Sequence, residues 1–290
     1  SNGYVIISGE GSSWTLNGVL NIGGYEKDEG NGKTAKGTVE VTEQGSLTSG
    51  DLYIAAGPDS EGELKVSQRG LVETGNLYVG FADLGSMTVS SGGQVQSTSS
   101  VYVAYGATSD GSIEVIGGKL DATKNIEVGY LGKGSLKISG GGEVTSDQGA
   151  IGWGAGSIGS VLITDKGSLW KLSRQLNVGY EGSEKQNAKG SLTVTNKGKL
   201  ETGSHLYIAG KESSEGEMEV SEGGIVTVKG NFDVGRNGKG KLEILSGGSV
   251  TNAMTSIGLM SYAEGQATVS GEKSTWTLTD TLYVGYWGKG

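Results

Sequence analysis

The sequence predicts an all-β protein folded as a right-handed parallel β-helix, a solenoid whose coils each contain three strands. A short motif that ends in glycine recurs along the 290 residues, and each copy is followed by a short segment in which apolar residues alternate with polar ones. The chain contains 56 Gly but one Pro and no Cys. In a parallel β-helix each strand pairs with the equivalent strand of the next coil, so recurring residues form columns along the rod. The right-handed sense follows from the preferred hand of crossovers between parallel strands.

The glycine that ends each phrase sets the length of a coil. Successive markers are 23–26 residues apart, except for one interval of 31, which predicts about 11 coils. The markers are Gly37, Gly62, Gly85, Gly111, Gly134, Gly159, Gly190, Gly216, Gly240, Gly265 and Gly290.

Each coil divides into three strands and three corners. The first strand follows the marker, as in TVEV (38–41), the second is a word such as KLET (199–202), and the third is a word such as LYVG (77–80). A propeller blade needs four antiparallel strands in about 40–50 residues, so the short period favours the β-helix. In LYVG we expect the first and third residues inside, the tyrosine outside and the glycine at the corner. The inward column should contain Leu52, Leu77, Leu206 and Leu282.

A larger duplication overlies the coils. The phrase WTLNGVLNIGGY (14–25) returns as WKLSRQLNVGY (170–180), each followed by a charged insert. We therefore interpret residues 1–290 as a single β-helix with a duplicated block of about 155 residues, roughly 1–155 and 156–290, and a third block starting near 266. Trp14, Trp170 and Trp276 share one column and should fill the core. Because no cap-like segment is recognisable, we expect the natural chain to continue beyond both ends.

Two outward columns stand out. On the first strand the column should be Glu40, Lys65, Thr88, Glu114, Lys137, Leu162, Thr193, Glu219, Glu243 and Thr268. On the third strand it should be Tyr53, Tyr78, Tyr102, Glu127, Gly152, Asn177, Tyr207, Asp233, Gly258 and Tyr283. Its five tyrosines are the candidate binding residues, because an exposed aromatic ladder can receive a glycan or a partner chain, although it can also merely stiffen the sheet.

The two charged inserts, 26–36 and 181–189, occupy the same corner of the duplicated blocks. Loops on a rigid scaffold often carry function, but tolerance of extra length explains them equally well. Their candidate residues are Lys27, Asp28, Glu29, Lys33, Glu184 and Lys185.

Composition argues against several other functions. The net charge is −9 and the arginines are scattered, which disfavours nucleic acid as a partner. The single histidine, His205, has no serine or acid pattern around it, and GAGSIG (154–159) leads into a strand rather than a phosphate-binding helix. The acidic pairs Asp59 with Glu61 and Glu212 with Glu215 lack a repeated calcium pattern. We therefore predict no catalytic residue, no metal and no cofactor, and no apolar run long enough for a membrane helix.

The motif GYLGKGSLKISGGGEV (129–144) resembles the passenger repeats of type V autotransporters, surface proteins of Gram-negative bacteria. The resemblance extends over essentially the whole chain. It implies a β-helical passenger displayed at the cell surface by a C-terminal barrel translocator that is absent from this chain. It also implies an adhesin or self-association module of the kind that forms aggregates and biofilms. The partners would be host glycans, matrix proteins or another copy of the chain.

Two other functional classes stay open at this point. A structural spacer that lifts another domain away from the membrane requires only a stable rod, which the sequence supplies equally well. A carbohydrate-active β-helix enzyme requires paired carboxylates converging on a groove, and no such pair is recognisable.

Overall fold

A computed structural model describes residues 1–24, 35–183 and 186–290. These residues form 33 β-strands, numbered β1 to β33 in chain order, and contain no α-helix. None of these residues belongs to a helix that is long and apolar enough to cross a membrane. Every third strand belongs to the same sheet, which gives three parallel sheets of 11 strands each.

The first sheet contains β1 (Asn2–Ser8), β4 (Ala35–Thr42), β7 (Ser60–Val66), β10 (Leu84–Ser90), β13 (Asp110–Ile116), β16 (Lys133–Ser139), β19 (Ile158–Ile163), β22 (Ala188–Val194), β25 (Ser214–Val220), β28 (Lys239–Leu245) and β31 (Glu264–Ser270). The second contains β2 (Ser13–Thr15), β5 (Ser46–Thr48), β8 (Leu71–Thr74), β11 (Gln94–Ser97), β14 (Lys119–Ala122), β17 (Glu143–Ser146), β20 (Leu169–Leu172), β23 (Lys199–Thr202), β26 (Ile225–Val228), β29 (Ser249–Asn252) and β32 (Thr275–Leu278). The third contains β3 (Leu20–Ile22), β6 (Leu52–Ile54), β9 (Leu77–Val79), β12 (Val101–Val103), β15 (Asn125–Val128), β18 (Gln148–Ile151), β21 (Leu176–Val178), β24 (Leu206–Ile208), β27 (Phe232–Val234), β30 (Thr255–Ile257) and β33 (Leu282–Val284).

This arrangement confirms the predicted three-strand β-solenoid of about 11 coils. The register confirms the first-strand column in full: for example, Glu40 pairs with Lys65, and Glu219 pairs with Glu243. The right-handed sense stays a prediction.

The core is a set of apolar columns that run along the rod. Leu52, Leu77 and Leu206 are fully buried, as expected from the alternation in the third strand. The expectation is wrong for Leu282, which is 48% exposed because the last coil has a neighbour on one side only. The inside–outside assignment of the strand faces is therefore correct, and the exception lies at an end of the solenoid.

Two residues of each coil shape the corner between its third strand and the next first strand. The residue after the third strand has a left-handed backbone, with φ of +71° at Gly80 and +57° at Ala104, so alanine as well as glycine accepts this geometry. The marker glycine lies inside the following first strand. A Cβ at Gly134 would come within 2.1 Å of the backbone nitrogen of Gly129, which explains why glycine recurs there.

The tryptophan column fills the core to different extents. Trp170 is fully buried, and its indole N–H donates to Ser146 Oγ at 3.2 Å. Gly149 in the preceding coil makes room for the indole, since a Cβ there would lie 2.9 Å from Trp170 Cζ2. Trp14 and Trp276 are partly buried against the same core. The core role of Trp170 is thus confirmed, and the two end-coil tryptophans share it in part.

Candidate functional site

The outward column of the third sheet differs from the prediction at two positions. Glu127 pairs with Ala150, and Asp233 pairs with Ser256. The column therefore contains Ala150 and Ser256 in place of the predicted Gly152 and Gly258. The two glycines lie two residues later, at corners with left-handed φ values of +71° and +68°. The observed column is Asn21, Tyr53, Tyr78, Tyr102, Glu127, Ala150, Asn177, Tyr207, Asp233, Ser256 and Tyr283.

Tyr53, Tyr78 and Tyr102 form a stacked ladder, here called the first aromatic row. The ring centroids of Tyr53 and Tyr78 are 4.5 Å apart with an interplanar angle of 10°. Those of Tyr78 and Tyr102 are 5.1 Å apart at 12°. The side chains are half-buried. The parallel register of consecutive coils therefore stacks these rings, as the sequence predicts.

A second aromatic row lies beside the first and was not predicted. It consists of the residue after the left-handed corner in five consecutive coils, namely Phe81, Tyr105, Tyr130, Trp153 and Tyr180. Successive ring centroids are 5.1, 4.9, 6.3 and 4.5 Å apart, with interplanar angles of 10°, 8°, 11° and 22°. The recurring aromatic letter after the corner, as in VGF, VAY, VGY and IGW, is the signal that could have revealed it.

The two rows pack edge to face. Tyr78 meets Tyr105 at 5.2 Å and 89°, and Tyr102 meets Tyr130 at 5.3 Å and 75°. Rings inside a row have both faces against other rings, so the ladder does not offer the flat stacking surface that we expected. A partner can reach ring edges and phenolic hydroxyl groups instead. These edges carry the positive part of the ring quadrupole, which favours acceptor oxygens.

The remaining candidate tyrosines are not part of either row. Tyr207 is only 9% exposed, because the Arg236 guanidinium lies 4.2 Å from its ring centroid and the His205 ring lies 5.6 Å away. The expectation of an exposed Tyr207 is therefore wrong. Tyr283 is 37% exposed in the last coil and meets Tyr286 edge to face at 5.0 Å.

Exposed aliphatic side chains extend the aromatic surface. Leu131 follows Tyr130 and is 37% exposed, and Ile158, the first residue of β19, is 48% exposed. We call the two aromatic rows together with Leu131 and Ile158 the aromatic corner. At one end of the second row, Lys211 Nζ lies 5.0 Å from the Tyr180 centroid and pairs with Glu181 at 3.1 Å. Clusters of exposed apolar side chains often mark contact surfaces.

The other candidate residues from the sequence either make structural contacts within the solenoid or lie outside the described residues. His205 Nδ1 accepts the backbone N–H of Asn231 at 3.0 Å. Residues 154–157 form a turn that leads into β19, as interpreted. Lys189 at 3.0 Å and Asn187 hold Glu215 in its ionised form, and these contacts lower its pKa. The insert candidates Lys27, Asp28, Glu29, Lys33, Glu184 and Lys185 lie outside the described residues.

Glu127 is a carboxyl group buried beneath the aromatic corner. It is 6% exposed, and its only hydrogen bond in the described part of the chain comes from Asn125 Nδ2, which donates to Oε1 at 3.2 Å. Burial raises its pKa to about 7, because a charged carboxylate is poorly solvated there. Burial also raises the pKa of the neighbouring phenols of Tyr102 and Tyr130. Among the described residues no cation compensates a charge on Glu127.

We expect this carboxyl group to make stability depend on pH. Its pKa is about 7 in the folded chain and about 4.3 when unfolded, so the folded state binds the proton more tightly. The free energy of unfolding should therefore fall as the pH rises from about 4.5 to 7, by on the order of 3 kcal/mol relative to Glu127→Gln. Urea unfolding of both proteins at several pH values measures this difference. Parallel pH profiles of the two proteins would contradict it.

The edge-to-face packing of the two rows should appear as a coupling energy. We expect Tyr78→Ala and Tyr105→Ala to couple by about 0.5–1.5 kcal/mol in a double-mutant cycle, because each removes the ring that the other contacts. The control cycle pairs Tyr78→Ala with Tyr262→Ala, since Tyr262 is 76% exposed near the far end of the rod. That pair should be additive within about 0.5 kcal/mol.

Comparison with known proteins gives one structural neighbour. No protein-family model and no curated protein sequence matches the chain. A crystal structure of a TibC-catalysed, hyper-glycosylated TibA fragment is similar in structure, with 18% sequence identity and a TM-score of 0.33. The match covers 100% of this chain and 99% of that chain. Similarity at this level does not assign the chain to a family.

Proposed function

We propose that this chain is the β-helical passenger part of a bacterial surface protein and that it acts as an adhesin or self-association module. In this proposal it is exported and anchored in the outer membrane through a translocator domain outside these residues. The autotransporter-like repeat motif and the 11-coil solenoid support the proposal. The proposal assigns no catalytic activity, cofactor or nucleic-acid partner to the chain.

The aromatic corner is the observation that carries the proposal. It presents aromatic and aliphatic side chains along consecutive coils at one lateral edge of the rod. Because the rings are already fixed by stacking, they would lose little further side-chain entropy when a partner contacts them. Because the aromatic corner is extended and rigid, it suits a long lateral contact better than the binding of a small molecule in a pocket. Host glycans, matrix proteins or a second copy of the rod are the partners that we propose.

A ladder of charged pairs borders the aromatic corner on the first sheet. Its ion pairs join neighbouring coils: Lys36 with Glu61, Asp110 with Lys133 at 3.9 Å, Lys189 with Glu215 at 3.0 Å, and Lys239 with Glu264 at 3.9 Å. Such exposed pairs add little to stability. They give the aromatic corner a polar rim with both signs of charge, which suits a lateral interface between rods.

A structural spacer is the alternative function, since the buried columns make a rod of about 50 Å whatever its surface does. Surface display separates the two. Cells that carry the chain on a barrel translocator should clump, or bind immobilised matrix proteins or glycans, more than cells that carry the translocator alone. If the two cell types behave alike at equal display levels, the adhesin proposal fails and the spacer takes its place.

A further inference from the structure

One acidic residue in the outward column of the third sheet has a cationic partner within the chain. Asp233 is 4% exposed, and Arg236 Nε lies 3.8 Å from its Oδ2. The same guanidinium covers the ring of Tyr207 at 4.2 Å, and Tyr207 precedes Asp233 by one coil in the register. A guanidinium group is thus held between an aromatic face and a buried carboxylate.

Glu127 lies in the same column four coils earlier, and no residue in the described part of the chain provides a cation beside it. Tyr102 precedes Glu127 by one coil, as Tyr207 precedes Asp233. Three residues after Glu127 the chain has Tyr130, where the residue three after Asp233 is Arg236. Glu127 Oε2 is buried without a hydrogen-bond partner in the described residues. The titratable groups that face it are the phenols of Tyr102 and Tyr130, which supply no positive charge.

Tyr130 and Trp153, the second-row residues nearest to Glu127, are the most widely spaced neighbours in the second aromatic row. The centroids of Tyr130 and Trp153 are 6.3 Å apart, whereas the other neighbours in the row are 4.5–5.1 Å apart. The two rings are nearly parallel, at 11°. Tyr102 packs edge to face against Tyr105 and Tyr130, the second-row residues of its own coil and of the next coil, and by the same register Glu127 faces Tyr130 and Trp153. A planar group stacked between two rings needs about 7 Å between the ring planes, so we expect the two rings to move apart when one enters.

We propose that Glu127, Tyr130 and Trp153 form a binding site for a guanidinium group, such as an arginine side chain of a partner protein. The flat cation would lie between the two rings and pair with the free carboxylate oxygen. Arg236 shows within the same chain that a buried acid of this column pairs with a guanidinium group held against an aromatic ring. Planarity and charge both contribute, because stacking requires the first and the buried carboxylate requires the second. The site does not depend on the rod acting as an adhesin.

Methylguanidinium is the probe, and the indole N–H resonance of Trp153 in a nitrogen-15 NMR spectrum is the signal, assigned with Trp153→Phe. At pH 8 we expect a saturable shift with a Kd on the order of millimolar. At pH 5 the affinity should be at least about tenfold weaker, because Glu127 is then protonated. Urea, which is planar and neutral, should cause no shift at the same concentrations.

Glu127→Gln should abolish the shift at pH 8, whereas Glu143→Gln, at an exposed carboxylate paired with Lys119 at 2.8 Å, should leave it unchanged. No shift in the wild type, or an equal affinity in Glu127→Gln, would overturn the inference. An equal affinity for methylammonium would overturn the assignment to guanidinium.

The pair formed by Arg236 and Asp233 provides a matched control within the same chain. Arg236→Ala should lower the unfolding temperature, and methylguanidinium should restore part of that loss by filling the vacated place over Tyr207. If methylguanidinium rescues Arg236→Ala but does not shift the Trp153 resonance, guanidinium binds only at the Tyr207 place and the inference fails. A rescue together with the Trp153 shift supports guanidinium binding at both.

Discussion

Gly134→Ala should destabilise the solenoid by about 3 kcal/mol, although it adds a single methyl group. The new Cβ would lie 2.1 Å from the nitrogen of Gly129 and 3.0 Å from the carbonyl oxygen of Val103. Both atoms belong to the backbone, which cannot move aside as a flexible side chain can. Relief of the clash would have to separate a corner from the strand beside it, at the expense of hydrogen bonds between coils.

The control for Gly134 is Gly18, where a Cβ would meet nothing within 4 Å. Gly18→Ala should change stability by no more than about 0.5 kcal/mol. Urea unfolding followed by circular dichroism gives both values. Equal losses in the two variants would mean that the marker glycine does not have the close backbone contact on which the corner depends.

Trp170→Ala should cost about 3–5 kcal/mol. It removes the largest fully buried side chain, leaves a cavity beside Gly149 and deprives Ser146 Oγ of its N–H donor. A cavity in a solenoid should also weaken the contact between neighbouring coils, because each coil is stabilised mainly by the two beside it. Denaturant unfolding measures the loss.

Trp287→Ala is the matched control for Trp170, since Trp287 is 66% exposed in the last coil. We expect it to change stability by less than about 0.5 kcal/mol. If Trp170→Ala unfolds at the same urea concentration as Trp287→Ala, the indole of Trp170 does not fill the core in the way that its burial indicates.

The repeat made most of the fold predictable. Once the glycine markers fix a coil of about 25 residues, the register follows, and with it the stack of Tyr53, Tyr78 and Tyr102. The prediction of the outward column failed in two coils for a physical reason. Gly149 and Thr255 stand where the other coils have an apolar residue, directly before Ala150 and Ser256. Each lies in the coil before a core tryptophan, and without the apolar residue the start of the third strand cannot be recognised in the sequence.

The candidate site was less predictable than the fold. Strand alternation says which residues face outward but not where a side chain points after a corner, so the second aromatic row remained unnoticed. Burial of Tyr207 depends on Arg236, which reaches it from the next coil. The environment of Glu127 depends on rings from neighbouring coils. Side-chain contacts between neighbouring coils of this kind cannot be predicted from strand alternation and require the three-dimensional structure.

The central claim is that partners contact the aromatic corner, and paired charge substitutions on displayed cells test it most directly. One variant combines Leu131→Glu with Ile158→Glu at the aromatic corner. The control combines Ile116→Glu with Ile225→Glu, which are each 38% exposed and lie at the corner between the first and second sheets.

At equal display levels, the aromatic-corner variant should lose at least about tenfold in clumping or ligand binding, because taking the added carboxylates out of water in a contact costs more than about 1.4 kcal/mol. The control variant should behave like the wild type. Equal activity of the aromatic-corner variant and the wild type, or an equal loss in both variants, would contradict the claim that this edge of the rod is the contact surface.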